Sequence, residues 1–211
     1  MVPSQRFKDR TDAGEQLADA LREREIDADI VLAIPRGGLP LGRAVADALD
    51  APLDIVVAKK IGAPGNPEYA IGAVASDGSV WRNEEAIRGT GADEEYFERQ
   101  REEEAENARQ KAERYRGDRS APDLADKTLV VVDDGVATGS TVRACLKRLN
   151  ATDADRIVLA VPVGPPGRIT ELEESNEVVC LQTPSGFRSV GQFYERFDQV
   201  SDEEAMTYLE D

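Results

Sequence analysis

Apolar and polar residues follow each other along the chain in blocks that predict strands and helices in turn. Residues 11–25 have helical spacing, with Ala13, Leu17 and Leu21 on one face and Thr11 as the predicted N-cap. Five continuous apolar runs are typical of strands buried on both faces of a sheet. These runs are DIVLAIP (29–35), LDIVVAKK (53–60), TLVVVDD (128–134), RIVLAVPV (156–163) and EVVCLQT (177–183). The alternation predicts an α/β fold: a twisted, mainly parallel sheet of about five strands with helices on both faces.

Three further segments complete the predicted organisation. Residues 61–92 predict a loop (61–70) and a β-hairpin around Asp77-Gly78, which together form a flap over a site. Residues 93–116 predict one long helix, either solvated on the domain surface or used as a dimer contact. Residues 184–211 predict a tail, or hood, that becomes helical from Ser201. The expectation is a single domain over 1–211, with a core of about 11–60 and 117–183.

The amino-acid composition limits the partners and the catalytic mechanisms that the protein can have. The 211 residues carry a net charge of −16, which argues against nucleic-acid and membrane partners and resembles proteins of salt-loving organisms. The absence of histidine excludes histidine triads and imidazole proton shuttles. Cys145 and Cys180 match no metal-ligand spacing and are expected to be buried. The polar N-terminus and the lack of a long apolar run predict a cytoplasmic protein.

The segment LVVVDDGVATGST (129–141) carries the strongest chemical signal. Asp133 and Asp134 end a predicted buried strand, at the sheet edge where ligands of parallel sheets bind. Consecutive strand residues point to opposite faces, so both acids reach one ligand only if the chain turns, and Gly135 supplies that turn. Paired carboxylates suit a vicinal diol or Mg²⁺, held directly, through water or through a substrate.

The residues that follow the acids predict a phosphate site. The run Ala137, Thr138, Gly139, Ser140, Thr141 opens a helix with a glycine and three hydroxyls, so N–H groups and the helix dipole face one point. A diol acceptor beside a phosphate site matches a ribose 5-phosphate. Three alternatives are an ordinary strand–turn–helix, a P-loop and a dinucleotide fingerprint. The lysine of a P-loop and the GxGxxG spacing of a dinucleotide fingerprint are both missing.

On these residues the chain resembles the type I phosphoribosyltransferases, because VVVDDGVATGST looks like their phosphoribosyl pyrophosphate signature. AIPRGGLPLG, KKIGAPGNPEYAIGAV and VGQFYERF resemble recurrent segments of a group of bacterial and archaeal members. The resemblance implies that Asp133 and Asp134 bind the ribose hydroxyls and that the loop 137–141 wraps the 5-phosphate. It also implies that Arg36, Gly37 and Gly38 hold pyrophosphate in a loop whose peptide geometry is often unusual, with Arg36 forking onto a phosphate.

Lys59 and Lys60 end the run 53–60 and are two of the few lysines of an acidic chain. They indicate an anion site at the same sheet edge, with a solvated strand end as the alternative. The loop 61–70 matches the family's mobile catalytic flap in position. Glu68 within it is a candidate to hold a cation or a substrate amine.

The implied activity is that of a Mg²⁺-dependent phosphoribosyltransferase, a pentosyl-transferring glycosyltransferase. It would transfer the ribose 5-phosphate of phosphoribosyl pyrophosphate to a nitrogenous base and release pyrophosphate, with Asp133, Asp134, Arg36, Lys59 and Lys60 as the catalytic candidates. Two alternatives remain open: a non-catalytic regulator that binds phosphoribosyl pyrophosphate, and a hydrolase of a phosphorylated ligand.

The acceptor half of the reaction is the least defined. Some 6-oxopurine transferases carry an acid where this chain has Ala137, which argues against purine salvage of the hypoxanthine type. Four aromatic residues either stack on a base or pack in the core: Trp81, Phe187, Phe193 and Tyr194.

Overall fold

The computed structural model describes residues 6–210. Residues 1–5 and Asp211, the two ends of the predicted domain, lie outside the described residues. The chain divides into two compact units. The first contains residues up to Ile55, Ser120–Thr138 and the residues from Asp153 onward, and the second contains Val56–Arg119 and Gly139–Thr152. The single domain over 1–211 stays a prediction.

Seven α-helices and eight strands are found between residues 6 and 210. In chain order they are α1 (Arg10–Glu23), β1 (Ile30–Ala33), α2 (Gly38–Leu49), β2 (Leu53–Ile55), β3 (Ala58–Ala63), β4 (Asn66–Ala75), β5 (Val80–Arg82), α3 (Glu84–Thr90), α4 (Glu94–Arg116), β6 (Thr128–Val132), α5 (Ser140–Leu149), β7 (Arg156–Val163), α6 (Pro166–Glu173), β8 (Glu177–Gln182) and α7 (Asp202–Thr207). A short 3-10 helix covers Val190–Phe193.

The first unit is built on a five-stranded parallel sheet with the order β2-β1-β6-β7-β8. Strands β1 and β6 lie next to each other, with Ala33 opposite Val132 at their carboxyl ends. Every residue of β1 is buried, as expected for a strand covered on both faces. The predicted α/β class is confirmed, with helices flanking the parallel sheet and a separate small antiparallel sheet.

The prediction of one strand over 53–60 is wrong. Strand β2 ends at Ile55 because it pairs with β1, and β1 itself ends at Ala33, opposite Ile55. Beyond that point the parallel sheet offers no partner. The chain enters the second unit and forms β3, so Lys59 and Lys60 are not at the edge of the parallel sheet.

The second unit contains an antiparallel sheet with the order β3-β4-β5. The predicted hairpin is confirmed, since Asp77 and Gly78 form the turn between β4 and β5. The predicted loop over 61–70 is wrong: these residues complete β3 and begin β4. The pairing is possible because the chain reverses at Pro64-Gly65, where Gly65 has a φ of +72°.

The predicted long helix is confirmed as α4, which begins after the N-cap Asp93. Its apolar stripe packs inside the second unit, with five buried residues: Phe97, Ala105, Ala108, Ala112 and Tyr115. Phe97 belongs to a cluster with Ile61 of β3 and Ile71 of β4. This packing favours the surface helix over the dimer contact, and a homodimer stays a prediction.

The two ends of the described chain meet in the first unit. Phe7 forms a parallel bridge with Tyr194, and their rings lie 5.4 Å apart. The N-cap of α1 is Asp9, whose Oδ1 accepts from the N–H of Asp12 at 3.0 Å, so the prediction of Thr11 as the cap is wrong. The helix predicted from Ser201 is confirmed as α7, with Ser201 as its N-cap.

Candidate functional site

Asp133 and Asp134 form an acidic turn immediately after β6. The prediction that they are the last two residues of the strand is wrong, because β6 ends at Val132, whose carbonyl accepts from the N–H of Ile34 at 2.9 Å. Beyond that bond the chain turns, and Oδ1 of Asp133 accepts from the N–H of Asp134 at 2.9 Å. The strict alternation of strand side chains therefore no longer applies to the two acids.

The environment of the acidic turn disfavours two negative charges. Burial raises the pKa of Asp133 well above its ordinary value, and the neighbouring Asp134 raises it further. Burial also raises the pKa of Asp134, while the guanidinium of Arg10 opposes that shift. A ligand that brings a cation or hydrogen-bond donors would relieve this repulsion. The turn is thus electrostatically suited to a diol or a metal ion.

Arg10 is the partner of Asp134 and was not predicted from the sequence. Its Nε donates to Oδ2 of Asp134 at 2.9 Å, and the two side chains are only 12% and 16% exposed. The residues are 124 positions apart, in α1 and after β6. No local pattern marks an arginine in the first turn of a helix as a partner for so distant an acid.

The loop after β1 lies against the acidic turn. A β-carbon on Gly37 would collide with the carboxylate of Asp134, and one on Gly38 would lie 2.5 Å from the carbonyl oxygen of Val132. The peptide bond between Pro35 and Arg36 is cis. The structure thus brings the predicted pyrophosphate loop and the predicted ribose acids together. The backbone N–H of Gly38 donates to the carbonyl of Ile34 at 3.0 Å, so it is already used within the protein.

Arg36 forms an ion pair inside the first unit. Its Nη1 lies 3.6 Å from Oδ1 of Asp202, at the start of α7, and both side chains are about one-third exposed. The predicted hood therefore supplies an internal anion to the arginine that is expected to bind pyrophosphate. The sequence offered no signal for this pair beyond the acidic start of α7.

The VGQFYERF segment packs on the acidic turn. The hydroxyl of Tyr194 donates to the carbonyl oxygen of Asp134 at 2.7 Å. A β-carbon on Gly135 would lie 2.8 Å from Cγ1 of Val190, so the turn and the segment are in close contact. The ring of Phe197 lies under the guanidinium of Arg10, 3.9 Å from ring centroid to Cζ. A segment singled out only by resemblance thus has a structural role, which is to support Asp134 and its neighbours.

The predicted phosphate loop begins in the first unit and continues into the second. Ala137 and Thr138 are exposed, whereas Gly139 and Ser140 are buried. Helix α5 starts at Ser140, with Gly139 as its N-cap in the left-handed region and no side-chain cap. Its first turn holds no acid, which suits an anion at the helix N-terminus.

The remaining candidates belong to the second unit. Lys59 is half-buried and Lys60 is exposed, on consecutive positions of β3 opposite Val74 and Ala73. Because neighbours in a strand point to opposite faces, only one of the two lysines can meet a given anion. Glu68 is exposed on β4. These three residues belong to the second unit, whereas Asp133, Asp134 and Arg36 belong to the first. The roles of Lys59, Lys60 and Glu68 stay predictions.

The two carboxylates of the acidic turn fit a magnesium site that is completed by a bound ligand, rather than a site made by the protein alone. Among residues 6–210 no group of three or more acidic, cysteine or histidine side chains is placed to hold a metal ion. Mg²⁺ is commonly bound by one or two carboxylates together with substrate phosphates and water. Asp133 and Asp134 are the residues that would hold it, jointly with a phosphorylated ligand.

Two of the four aromatic candidates are buried and two are half-buried. Phe193 and Tyr194 are buried, and Phe193 stacks on the half-buried Phe187 with 5.5 Å between ring centroids. Trp81 is half-buried in the second unit, with Cζ of Arg143 5.6 Å from its ring centroid. Core packing therefore accounts for Phe193 and Tyr194.

No helix in the described part of the chain is both long and apolar enough to cross a membrane.

A parallel sheet with glycine-rich and acidic turns at its carboxyl edge defines the class of α/β proteins that bind their ligands at such an edge. A family model described as "Phosphoribosyl transferase domain" matches residues 6–195. The chain therefore belongs to the phosphoribosyl transferase domain family, and the resemblance found in the sequence is confirmed.

Two relatives support this assignment. A Mycobacterium tuberculosis (strain H37Rv) protein that bears the provisional name of phosphoribosyl transferase is 42% identical over 205 residues, or 97% of this chain. The chain spans only 46% of the length of that relative. The crystal structure of TT1426 from Thermus thermophilus is 40% identical, with a TM-score of 0.83, and the match covers 97% of this chain and 98% of that one.

Proposed function

We propose that the protein is a Mg²⁺-dependent phosphoribosyltransferase that transfers the ribose 5-phosphate of phosphoribosyl pyrophosphate to a nitrogenous base. The observation that carries the proposal is the close approach of Gly37 to the carboxylate of Asp134. In the substrate, the pyrophosphate on C1 and the hydroxyl on C2 are attached to neighbouring carbons. A site for this molecule therefore needs its pyrophosphate loop and its diol acceptors side by side, as Gly37 and Asp134 are.

In this mechanism the bond between C1 and the pyrophosphate oxygen breaks as a ring nitrogen of the acceptor bonds to C1 with inversion. Positive charge develops on the ribose, and negative charge on the leaving pyrophosphate. Asp133 and Asp134 accept the ribose hydroxyl protons in hydrogen bonds and place carboxylates near the developing cation. Arg36 pairs with the departing pyrophosphate. When bound, Mg²⁺ would neutralise part of the phosphate charge, and Lys59 or Lys60 is proposed to add to that neutralisation.

The loop 137–141 is proposed to bind the 5-phosphate. The uncapped start of α5 supports this role, because backbone N–H groups at a helix N-terminus are suited to a phosphate. The hydroxyls of Thr138, Ser140 and Thr141 are the further donors. Ala137 supplies no carboxylate for a base proton, so we expect an acceptor that does not need one, unlike hypoxanthine.

The acceptor itself is proposed only as a nitrogenous base. Trp81 and Phe187 are the two half-buried aromatic candidates for stacking, since Phe193 and Tyr194 serve the core. Glu68 is kept as a candidate for a substrate amine or a cation. The cytoplasmic location and the homodimer stay predictions.

Calorimetric titration with phosphoribosyl pyrophosphate and Mg²⁺ tests the shared premise of all the candidate functions. We expect binding by the wild type and loss of binding in the double variant Asp133→Asn with Asp134→Asn. A matched control is Asp19→Asn with Asp123→Asn, which removes the same charge from two exposed positions. Equal binding by all three proteins would contradict the proposal.

Pyrophosphate release against a panel of bases then separates the functions. Release that depends on one base identifies the transferase and its acceptor. Release without any base would indicate a hydrolase, and binding without release would indicate a regulator.

A further inference from the structure

Arg10 is held from three directions at once. Its Nε donates to Oδ2 of Asp134 at 2.9 Å, and its Nη1 donates to the carbonyl oxygen of Asp198 at 2.6 Å. The ring of Phe197 lies 3.9 Å from Cζ, which places the guanidinium over an aromatic face. A side chain with five donors in a rigid plane is thereby fixed in position, not merely attracted to a nearby charge.

Asp134 is in turn held at two points. Arg10 bonds its carboxylate, and the hydroxyl of Tyr194 donates to its backbone carbonyl at 2.7 Å. With Oδ2 bonded to Arg10, Oδ1 is the oxygen of Asp134 that is left to accept from a ligand hydroxyl.

On the basis of the proposed function, we propose that Arg10 is a positioning residue for the ribose diol. It fixes the Asp134 carboxylate through Oδ2, so that Oδ1 faces one ribose hydroxyl at the correct angle. A hydrogen bond weakens steeply as its angle departs from linear. A carboxylate that rotates freely about its side-chain bond therefore recognises a hydroxyl poorly. Arg10 does not touch the substrate in this assignment, and it acts only through Asp134.

Three ligands of equal charge test the assignment: ribose 5-phosphate, 2-deoxyribose 5-phosphate and 3-deoxyribose 5-phosphate. Each deoxy compound lacks one hydroxyl of the diol. A site built to bond a hydroxyl rejects the analogue that lacks it, so the wild type should bind both deoxy compounds more weakly in calorimetric titrations.

In Arg10→Gln we expect ribose 5-phosphate to bind about 10-fold more weakly or worse, as when a charged hydrogen bond is lost. One of the two deoxy compounds should then bind about as well as ribose 5-phosphate, because the hydroxyl it lacks is no longer recognised. That compound identifies the hydroxyl that Asp134 accepts. Removing the arginine charge weakens all three ligands alike, so the ratio of their affinities isolates the geometric effect.

Arg10→Lys keeps the charge but cannot form the planar pair of bonds to Asp134 and Asp198. We expect Arg10→Lys to bind all three ligands more tightly than Arg10→Gln does, but not to distinguish among them as the wild type does. If Arg10→Gln does not fold, Arg10→Lys alone tests the assignment. Arg196→Gln is the matched control. Arg196 pairs with Asp9, which precedes Arg10, and it is 69% exposed. This control should discriminate as the wild type does.

The outcomes separate the inference from the function on which it rests. If the wild type binds neither phosphoribosyl pyrophosphate nor any of the three ligands, the proposed function fails. Suppose that the wild type distinguishes ribose 5-phosphate from the deoxy compounds. If the ratios of the three affinities are then the same in Arg10→Gln, with or without a general loss of affinity, only the role of Arg10 is wrong. Full discrimination by Arg10→Lys would also overturn it, because charge alone would then suffice.

Discussion

Gly37 lies directly against the carboxylate of Asp134, and no side chain fits between them. The two residues follow neighbouring parallel strands, β1 and β6, whose carboxyl ends meet at Ala33 and Val132. The contact is therefore a product of sheet topology. It joins the turn expected to bind pyrophosphate to the turn expected to bind ribose.

Gly37→Ala should disrupt this junction. The added methyl group must displace the Asp134 carboxylate, and a misplacement of about 1 Å can cost about 100-fold in rate. We expect pyrophosphate release to slow by roughly that factor and phosphoribosyl pyrophosphate to bind more weakly in calorimetry. The control is Gly167→Ala in α6, where a β-carbon meets nothing within 4 Å. Comparable losses in both variants would show that the effect is not local.

Asp133→Asn should stabilise the ligand-free protein while abolishing ligand binding. The pKa of Asp133 is raised in the folded state by burial and by Asp134, so the folded state holds its proton more tightly than the unfolded chain. Stability is then lost as the pH rises from about 4 through the folded-state pKa, and the neutral asparagine escapes this loss.

Thermal unfolding across pH measures the effect of Asp133→Asn. The variant should show a higher Tm than the wild type at pH 8, with a gain of about 2–4 °C for each kcal/mol. The gain should vanish below about pH 3, where wild-type Asp133 is protonated in both states. Asp19→Asn removes an exposed charge and should show no such pH dependence. An unchanged Tm at pH 8 would contradict the expected repulsion.

Asp202→Asn should strengthen the binding of inorganic pyrophosphate. The Asp202 carboxylate lies 3.6 Å from Nη1 of Arg36, so it competes with any phosphate for that arginine. Partly exposed ion pairs contribute about 0.2–1 kcal/mol, which corresponds to a tightening of about 1.5- to 5-fold. Glu203→Gln, on the next residue of α7, makes the same change in net charge. Equal tightening in both variants would mean that only the overall charge matters.

The thiols should react slowly in the native protein. Burial raises the pKa of Cys180 to about 11, and Cys145 is buried. Because the thiolate is the reactive form, alkylation of Cys180 at pH 8 should be slow. Mass spectrometry after a short iodoacetamide pulse should show little labelling when the protein is folded and two labels when it is unfolded. Rapid labelling of the folded protein at Cys180 would contradict the expected pKa.

Salt should raise the stability of the chain. A net charge of −16 repels itself, and the Debye length falls from about 10 Å at 0.1 M to about 3 Å at 1 M. We expect Tm to rise between 0.1 M and 1 M KCl. A constant or falling Tm would remove the support for a salt-adapted surface.

Much of the fold follows from apolar runs, because a strand buried on both faces needs an unbroken run, as in Ile30–Ala33. The prediction of one strand over 53–60 failed because the end of β2 is set by its pairing with β1, which local sequence does not reveal. The prediction of Thr11 as the N-cap failed because Asp9, two residues earlier, is of a type that caps helices better.

The candidate site divides in the same way. Asp133 and Asp134 were identified as candidates because their residue types and spacing are local signals, and Gly37 was identified through the family resemblance. Arg10 and Asp202 were missed because their roles depend on tertiary contacts over long stretches of chain. Lys59 and Lys60 were placed at the wrong edge because their strand belongs to another sheet. Resemblance marked the VGQFYERF segment, but only the structure showed that it supports Asp134.

The bond from the Tyr194 hydroxyl to Asp134 also has a consequence for synthesis on the ribosome. Tyr194 follows Asp134 by 60 positions, so the acidic turn leaves the ribosome well before the residue that holds it. At about 5–20 residues per second the delay is roughly 3–12 s. During that interval a nascent chain carries both acids without their final support. Under the proposed function, the nascent chain would therefore reach its full affinity for a sugar phosphate only after the VGQFYERF segment has emerged and docked.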